Sequence, residues 1–219
     1  MGNTKGNILI CGGLLLIAAA LCLTGYNLWD AHRAAGSVAE LAQELAARTS
    51  TEPAKQNDVG SSEQLETPAY LLDPTIDMPT VELNGNQYIG TVEIPLLGLS
   101  LPVMSDWSDS KLKLSPCRYT GSAYLNDMII AAHNYPAHFG ALRNLKQGDS
   151  VIFTDVDGNR FSYIVSEMEQ LPSAALDEMA SGDWDLTLFT CTLGGKARVT
   201  VRCILSGSFR QEDPLNSVE

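Results

Sequence analysis

The stretch LTLFTCTLGGKARVTVRC, residues 186–203, contains two β-type runs joined by a short loop with two glycines. The first run ends at Cys191, and Arg198 opens the second. Because side chains alternate across a strand, Arg198 and Arg202 share one face, whereas Cys203 lies on the other face among valines. We therefore expect an antiparallel pair that brings Cys191 beside Arg198 and leaves Cys203 in the core.

Cys191 and Cys203 are not expected to form a disulfide. Cys203 lies about five residues, or roughly 16 Å, along the second run from the end that faces Cys191. A disulfide needs Cα atoms within about 7 Å of each other. Cys203 is therefore predicted to be a core residue. Cys117 is predicted to be buried too, or to be a regulatory thiol if it is exposed.

A nucleophilic role for Cys191 is chemically reasonable in this setting. A nearby cation favours the thiolate, which is the reactive form, and the Arg198 guanidinium can donate to an oxyanion that develops on an attacked carbonyl. Such a cysteine also needs an acid/base, usually a histidine. His133 closes the apolar run MIIAAH and should lie at a sheet rim, whereas His138 lies in a loop. We favour His133 from position.

Two other interpretations of these residues stay open. Single Cys, His and Arg residues are most often structural. A zinc site would use His133, Cys191 and Cys117, but no paired C-x-x-C or H-x-x-x-H spacing supports it. Arg202 competes with Arg198 for the arginine role, although its position two pleats further along the strand predicts a place on the surface or at the rim of a groove.

The rest of the globular region is predicted to be mainly antiparallel β with short helices, as in a barrel or sandwich. Further strands are predicted within residues 88–104, 126–134 and 149–171, and short helices within residues 139–149 and 175–183. The segment DVDGN, residues 155–159, resembles a calcium loop. However, Ile164 stands where an EF-hand needs an acidic residue, so a hairpin turn at Asp157-Gly158 is expected.

The N-terminal region is apolar from Ile8 to Trp29, a run of 22 residues without a charge. At 1.5 Å per residue this run covers the roughly 30 Å core of a bilayer, so we predict an uncleaved anchor. The few flanking basic residues do not decide its orientation. Beyond it, residues 30–50 predict a helical stalk and residues 51–68 a flexible linker. The formal net charge of −12 argues against a nucleic-acid partner.

The segment TLFTC, residues 187–191, resembles the Thr-Leu-x-Thr-Cys signature of the sortase family, with Arg198 at the spacing found there. Upstream, IIAAHNYPAHFGALRNLKQGDSVIF is similar to the sortase segment that carries the catalytic histidine. The order His, Cys, Arg agrees, and the resemblance covers roughly residues 85–207. One departure is Ala132, where many sortases have glycine before the histidine.

The resemblance implies a closed sortase-type β-barrel of about eight strands with short helices, preceded by a transmembrane helix. It also implies a single-pass protein of the cell membrane, with its N-terminus inside and its catalytic domain extracellular, similar to housekeeping or class D sortases. The expected organisation is a cytoplasmic N-terminus over 1–7, an anchor over 8–29, a stalk and linker over 30–69, a catalytic barrel over 70–210 and a tail over 211–219.

The activity implied by the resemblance is transpeptidation. Cys191 would cleave the Thr–Gly bond of a Leu-Pro-x-Thr-Gly-like sorting signal through a thioacyl intermediate, with His133 as acid/base and Arg198 at the carbonyl oxygen. Thr190 and Asn134 would contribute to the substrate groove. The partners would be surface proteins with sorting signals and an amine acceptor from a peptidoglycan precursor or a pilin-like protein. No cofactor or metal is expected, and calcium modulation has no support in the residues.

Two alternative functions remain at this point. A cysteine hydrolase with the same three residues would release surface proteins to water. A non-enzymatic, membrane-tethered barrel would bind peptides and use Cys191 only for packing. Neither can be separated from a transpeptidase by motif alone.

Overall fold

The computed structural model describes residues 4–51, 67–192 and 194–206. One long helix precedes nine strands and three short α-helices. The helices are α1 (Thr4–Thr51), α2 (Ala69–Leu72), α3 (Asp109–Leu112) and α4 (Leu176–Ala180), with 3-10 helices at Pro95–Leu97 and Phe139–Asn144. The strands are β1 (Val81–Leu83), β2 (Asn86–Ile94), β3 (Leu99–Met104), β4 (Cys117–Thr120), β5 (Met128–Ala131), β6 (Ser150–Asp155), β7 (Arg160–Pro172), β8 (Leu186–Cys191) and β9 (Ala197–Leu205).

Eight of the strands form a closed barrel, as predicted. The order is β2-β3-β4-β5-β8-β9-β7-β6, and pairing of β6 with β2 closes the cylinder. Strand β1 forms a hairpin with β2. The pairings β3–β4 and β5–β8 are parallel and the others are antiparallel, so the barrel is mixed.

The barrel interior is filled by the inward half of each strand. Alternation is clearest in β7, where Phe161, Tyr163 and Val165 are buried and the residues between them are exposed. Strand β5 is buried on both faces because α4 and neighbouring side chains cover its outer side. Cys203 is fully buried in the main core, as predicted.

The closure of the barrel depends on Gly90. This residue pairs with Val103 of β3 and with Asp155 of β6, and its φ of +154° disfavours other residues. A Cβ at this position would lie 2.1 Å from the carbonyl oxygen of Thr154. Only glycine lets the two backbones approach so closely.

The turn of the β6–β7 hairpin falls at Asp157-Gly158, as predicted. The buried Asp155 carboxylate accepts hydrogen bonds from the Tyr124 hydroxyl at 2.7 Å and from the Asn159 side chain at 2.8 Å. It also accepts from the backbone N–H groups of residues 157 and 159. The aspartate that resembled a calcium ligand in sequence thus fixes the turn by hydrogen bonds within the protein.

The helix α1 combines an exposed apolar half with a half that packs on the barrel. It is the one helix of the described residues that is long and apolar enough to cross a membrane. Beyond the apolar segment Ile8–Trp29, a stripe at helical spacing is buried. Its members are Ala34, Val38, Leu41 and Leu45. Most of the predicted linker, residues 52–66, and the predicted tail, residues 211–219, lie outside the described residues.

His138 is a core residue. Its side chain is fully buried, and neither ring nitrogen has a hydrogen-bond partner within the described parts of the chain. Burial, together with the nearby His133, lowers the pKa of His138 to about 4. The imidazole is therefore neutral at physiological pH.

The substitution Gly90→Ala should destabilise the barrel because the added Cβ meets the Thr154 carbonyl. We expect the free energy of unfolding to fall by roughly 3 kcal/mol or more. Gly85→Ala is the matched control, because Gly85 has a φ of +75° with open space around it. That variant should lose only about 1–2 kcal/mol. Urea unfolding of the full chain in detergent micelles measures both, and equal losses would contradict the proposed close approach.

The buried His138 should also make stability depend on pH. As pH falls from about 6.5 towards 4, the unfolded chain binds a proton at this residue that the folded chain excludes. The free energy of unfolding should therefore decrease, by at most about 1.4 kcal/mol per pH unit from this group. His138→Phe should flatten the slope between pH 7 and pH 5 in urea titrations. A variant with the slope of the wild type would show that His138 does not carry this dependence.

Candidate active site

The first two candidate residues lie at the ends of neighbouring parallel strands. Strands β5 and β8 pair in the register Ala131 to Phe189, and Ala132 donates its N–H to the Phe189 carbonyl at 3.2 Å. His133 lies two residues after Ala131, and Cys191 lies two residues after Phe189. Because parallel strands present their carboxyl ends at the same edge, both residues reach the same rim of the barrel.

Arg198 joins them from the next strand. Cys191 and Arg198 are direct partners in the antiparallel pairing of β8 with β9, so their side chains project to the same side. The thiol of Cys191 is free and its residue is exposed, whereas Arg198 is half-buried. The structure thus brings His133, Cys191 and Arg198 together at one rim.

The guanidinium of Arg198 is held on the outer face of the barrel by an aromatic ring. Its central carbon lies 5.5 Å from the ring centroid of Phe189, a favourable cation–π distance. Phe189 precedes Cys191 by two residues and therefore shares its face. The Nη1 atom of Arg198 is buried without a hydrogen-bond partner in the described residues. It is therefore a donor that no group of the described residues uses.

Arg202 is not at the surface or the groove rim, where its alternation had placed it. It is 3% exposed, and its Nε donates to Glu169 at 2.6 Å. Its terminal nitrogens donate to the backbone carbonyls of Glu178 and Met179, each at 2.7 Å. The reason is that α4 covers this part of the outer face. Arg202 therefore holds α4 against β8 and β9.

His133 is half-buried. Desolvation, followed by the positive charge of Lys113, lowers its pKa, although the negative charges of Asp30 and Asp109 act in the opposite direction. The imidazole is therefore largely neutral near pH 7 and able to take up a proton. This property suits an acid/base that cycles between two states.

The two predicted groove residues occupy different positions. Thr190 is 2% exposed, and its hydroxyl donates to the carbonyl of Ala132 at 2.8 Å. It ties the end of β8 to the residue before His133. Asn134 is half-buried and lines a surface pocket of about 340 Å³ together with Pro136 and Arg143.

The remaining cysteines of the barrel are core residues. Cys117 and Cys203 are both fully buried, and burial raises the pKa of each thiol, that of Cys117 to about 12. Cys117, a ligand in the zinc alternative, packs with Leu41 and Leu45 of α1. Within the described residues, no group of three His, Cys, Asp or Glu side chains is arranged to hold a metal ion.

Sequence reasoning missed two residues near His133. The ring of Tyr135 lies 5.0 Å from that of His133, and its hydroxyl donates to Asp30 of α1 at 2.5 Å. Tyr135 was visible only as a loop residue, and Asp30 lies more than a hundred residues away in sequence. The end of the apolar segment in α1 was the only signal that marked Asp30.

Several solved structures of sortases are similar to this fold. Sortase C1 from Streptococcus agalactiae aligns at a TM-score of 0.50 and 24% identity, covering 69% of this chain and 80% of that chain. Sortase C1 from Streptococcus suis aligns at 0.48 and 25%, covering 57% and 76%. The sortase D5 transpeptidase of Clostridium perfringens aligns at 0.49 and 21%, covering 58% and 83%. The first of these alignments supports the barrel fold.

A search of curated protein sequences found no match. The family profile of the sortase domain, in contrast, matches residues 92–208, which is more than half of the chain. That match contains β3 to β9 and all three residues of the rim. The chain belongs to the sortase family of cysteine transpeptidases.

Proposed function

We propose that this transpeptidase cleaves a Leu-Pro-x-Thr-Gly-like sorting signal between Thr and Gly and transfers the new carboxyl end to an amine. Cys191 is the nucleophile, His133 is the acid/base and Arg198 stabilises the substrate carbonyl. The observation that carries the proposal is that backbone pairing brings these three residues to one rim of the barrel. Strand ends place two of them side by side, and a direct cross-strand pair adds the third.

The first half-reaction forms the thioacyl enzyme. Neutral His133 takes the proton of the Cys191 thiol, and the sulfur attacks the carbonyl carbon of the substrate threonine, so the carbonyl oxygen becomes an oxyanion. The half-buried guanidinium of Arg198, whose Nη1 has no hydrogen-bond partner within the described residues, donates to that oxyanion. Protonated His133 then gives its proton to the leaving glycine nitrogen, and the C–N bond breaks.

The second half-reaction reverses the proton transfer. The neutral His133 takes a proton from the incoming amine as the amine nitrogen attacks the thioester carbon. The C–S bond breaks and the leaving sulfur takes the proton from His133, so the enzyme returns to its starting state. Water in place of the amine would give hydrolysis, which is why the acceptor must be tested directly.

Membership of the family supports the proposed donor proteins and acceptor. The donors are surface proteins that carry a sorting signal, and the acceptor is an amine of a peptidoglycan precursor or of a pilin-like surface protein. Thr190 contributes to the groove by fixing the end of β8, and Asn134 by lining the adjoining pocket.

The apolar segment Ile8–Trp29 serves as a single membrane anchor in this proposal, with the N-terminus inside and the barrel outside. Its side chains are exposed along the whole segment, which supports an apolar environment around it. Residues 70–210 form the catalytic domain. An outer location agrees with the activity, because sorting signals are processed at the cell surface.

The main test uses the full chain in detergent micelles, as wild type and as Cys191→Ala. Each is incubated with a Leu-Pro-x-Thr-Gly peptide library, with and without triglycine, and products are identified by mass spectrometry. We expect wild type to cleave after Thr and to form the triglycine adduct, and Cys191→Ala to do neither. Cleavage without the adduct would support a hydrolase. No cleavage, with Cys191 inert to an alkylating probe, would leave a peptide-binding barrel.

The two arginines should separate activity from stability. Arg198→Gln should lower kcat/KM by roughly 10²–10³ with little change in unfolding, because it removes the oxyanion donor. Arg202→Gln should instead lower the free energy of unfolding by about 2–4 kcal/mol, because it breaks a partly buried ion pair and leaves two backbone carbonyls without their donor. Peptide cleavage and urea titration measure the two effects. If Arg198→Gln stays active while Arg202→Gln folds but is inactive, then Arg202 and not Arg198 stabilises the substrate carbonyl.

A further inference from the structure

We propose that Tyr135 is a positioning residue for His133 and that Asp30 of α1 holds it in place, so that the seat of α1 on the barrel sets the geometry of the active-site loop. The inference rests on the proposed role of His133 and concerns contacts of the described residues only.

The loop after β5 is folded tightly around the backbone of Tyr135. Its carbonyl accepts hydrogen bonds from the N–H of His138 at 3.0 Å and from that of Gly140 at 2.9 Å. The His133 carbonyl accepts from the N–H of Phe139 at 3.3 Å. A Cβ on Gly140 would lie 2.7 Å from the Tyr135 carbonyl oxygen, so the loop has no room to relax there. These hydrogen bonds hold Tyr135 and His133 in one closely packed loop.

The ring of Tyr135 contacts both histidines of this loop. Its centroid lies 5.0 Å from that of His133 and 5.3 Å from that of His138. His138 is fully buried in the core and provides a fixed surface. The tyrosine ring therefore lies against the fixed side chain of His138 and also against the half-buried imidazole of His133, and so links the position of that imidazole to the core.

The hydroxyl of Tyr135 is fixed by α1. It donates to Oδ2 of Asp30 at 2.5 Å, and the other oxygen, Oδ1, accepts from Arg33 at 3.0 Å. Burial and the hydrogen bond to Asp30 raise the pKa of Tyr135 to about 12, so the hydroxyl stays protonated. Arg33 in turn lies 5.7 Å from the ring centroid of Trp29. Both carboxylate oxygens of Asp30 are thus engaged, and a continuous set of contacts leads from Trp29 to Tyr135.

Asp30 also acts on His133 through its charge. Among the charged groups that face His133, Lys113 lowers the pKa of the imidazole, while Asp30 and Asp109 raise it. His138, the remaining titratable side chain of the loop, is neutral near pH 7 because burial lowers its pKa. The hydrogen bond and the charge of Asp30 can therefore be separated by substitution.

The location of Asp30 links this contact to the packing of α1 on the barrel. It follows directly after the apolar segment Ile8–Trp29, and the buried stripe from Ala34 to Leu45 holds the next three turns of α1 on the barrel. A shift of α1 relative to the barrel would break the Asp30–Tyr135 hydrogen bond. The active-site loop therefore has this arrangement only when α1 is packed against the barrel.

The test compares two variants of the full chain in detergent micelles. Tyr135→Phe removes the hydroxyl and leaves the charge of Asp30. Asp30→Asn leaves a hydrogen-bond acceptor and removes the charge. Tyr124→Phe is the matched control, because it deletes another tyrosine hydroxyl that donates to a carboxylate, away from the rim. The chain has three histidines, so 13C-labelled His133 can be assigned by its loss in His133→Ala.

Tyr135→Phe should lower kcat roughly three- to tenfold, the range of one net hydrogen bond, with KM unchanged and with an altered His133 chemical shift. Asp30→Asn should keep most of kcat but move the His133 titration to lower pH, because a negative charge near the imidazole has been removed. Tyr124→Phe should change neither the His133 signal nor the pH profile.

Wild-type His133 signals and wild-type kcat in Tyr135→Phe would overturn the inference, as would equal changes in Tyr124→Phe. Failure of the proposed function would give a different combination of peptide cleavage and His133 signals. In that case the wild type would not cleave peptide, while the His133 signal would still report whether Asp30 and Tyr135 control the loop.

Discussion

The parallel pairing of β5 with β8 is the contact on which the rest of the site depends. The two strands are distant in sequence, yet their register brings the residues that follow Ala131 and Phe189 to the same edge. The Thr190 hydroxyl reinforces that edge through the Ala132 carbonyl. A shift of one residue in this register would turn Cys191 towards the other face, because side chains alternate along a strand. The proposed nucleophile and its proposed acid/base are thus placed by backbone pairing before any side chain contributes.

Residues of the same type have different roles because two helices cover different parts of the outer barrel surface. Helix α1 covers Cys117, and α4 covers Arg202, whereas Cys191 and Arg198 lie beyond the edge of both helices. Burial keeps the Cys117 thiol protonated and commits the Arg202 guanidinium to carbonyls of α4. Coverage of the outer face therefore decides which thiol and which guanidinium can meet a substrate.

Much of this arrangement could be predicted from the sequence. Alternation gave the strands, glycine gave the β6–β7 turn, and the family motif gave the closed barrel. The burial of Arg202 could not be predicted, because alternation along β9 reports the face of a strand but not whether a helix covers it. Nor could the contact of Tyr135 with Asp30 be predicted, because it depends on how a continuous helix packs against a loop that is distant in sequence. Local patterns cannot report such long-range packing.

The continuity of α1 has a geometric consequence for the reach of the enzyme. If Ile8–Trp29 spans a bilayer as proposed, the contact of Asp30 with Tyr135 leaves no flexible tether between the membrane and the loop that carries His133. In the proposed topology the rim that carries Cys191 would then lie close to the lipid headgroups. A donor that is itself held in the same bilayer needs only a few extended residues, at about 3.3 Å each, to present its scissile bond. Distance from the membrane, as well as peptide sequence, would then select the substrate.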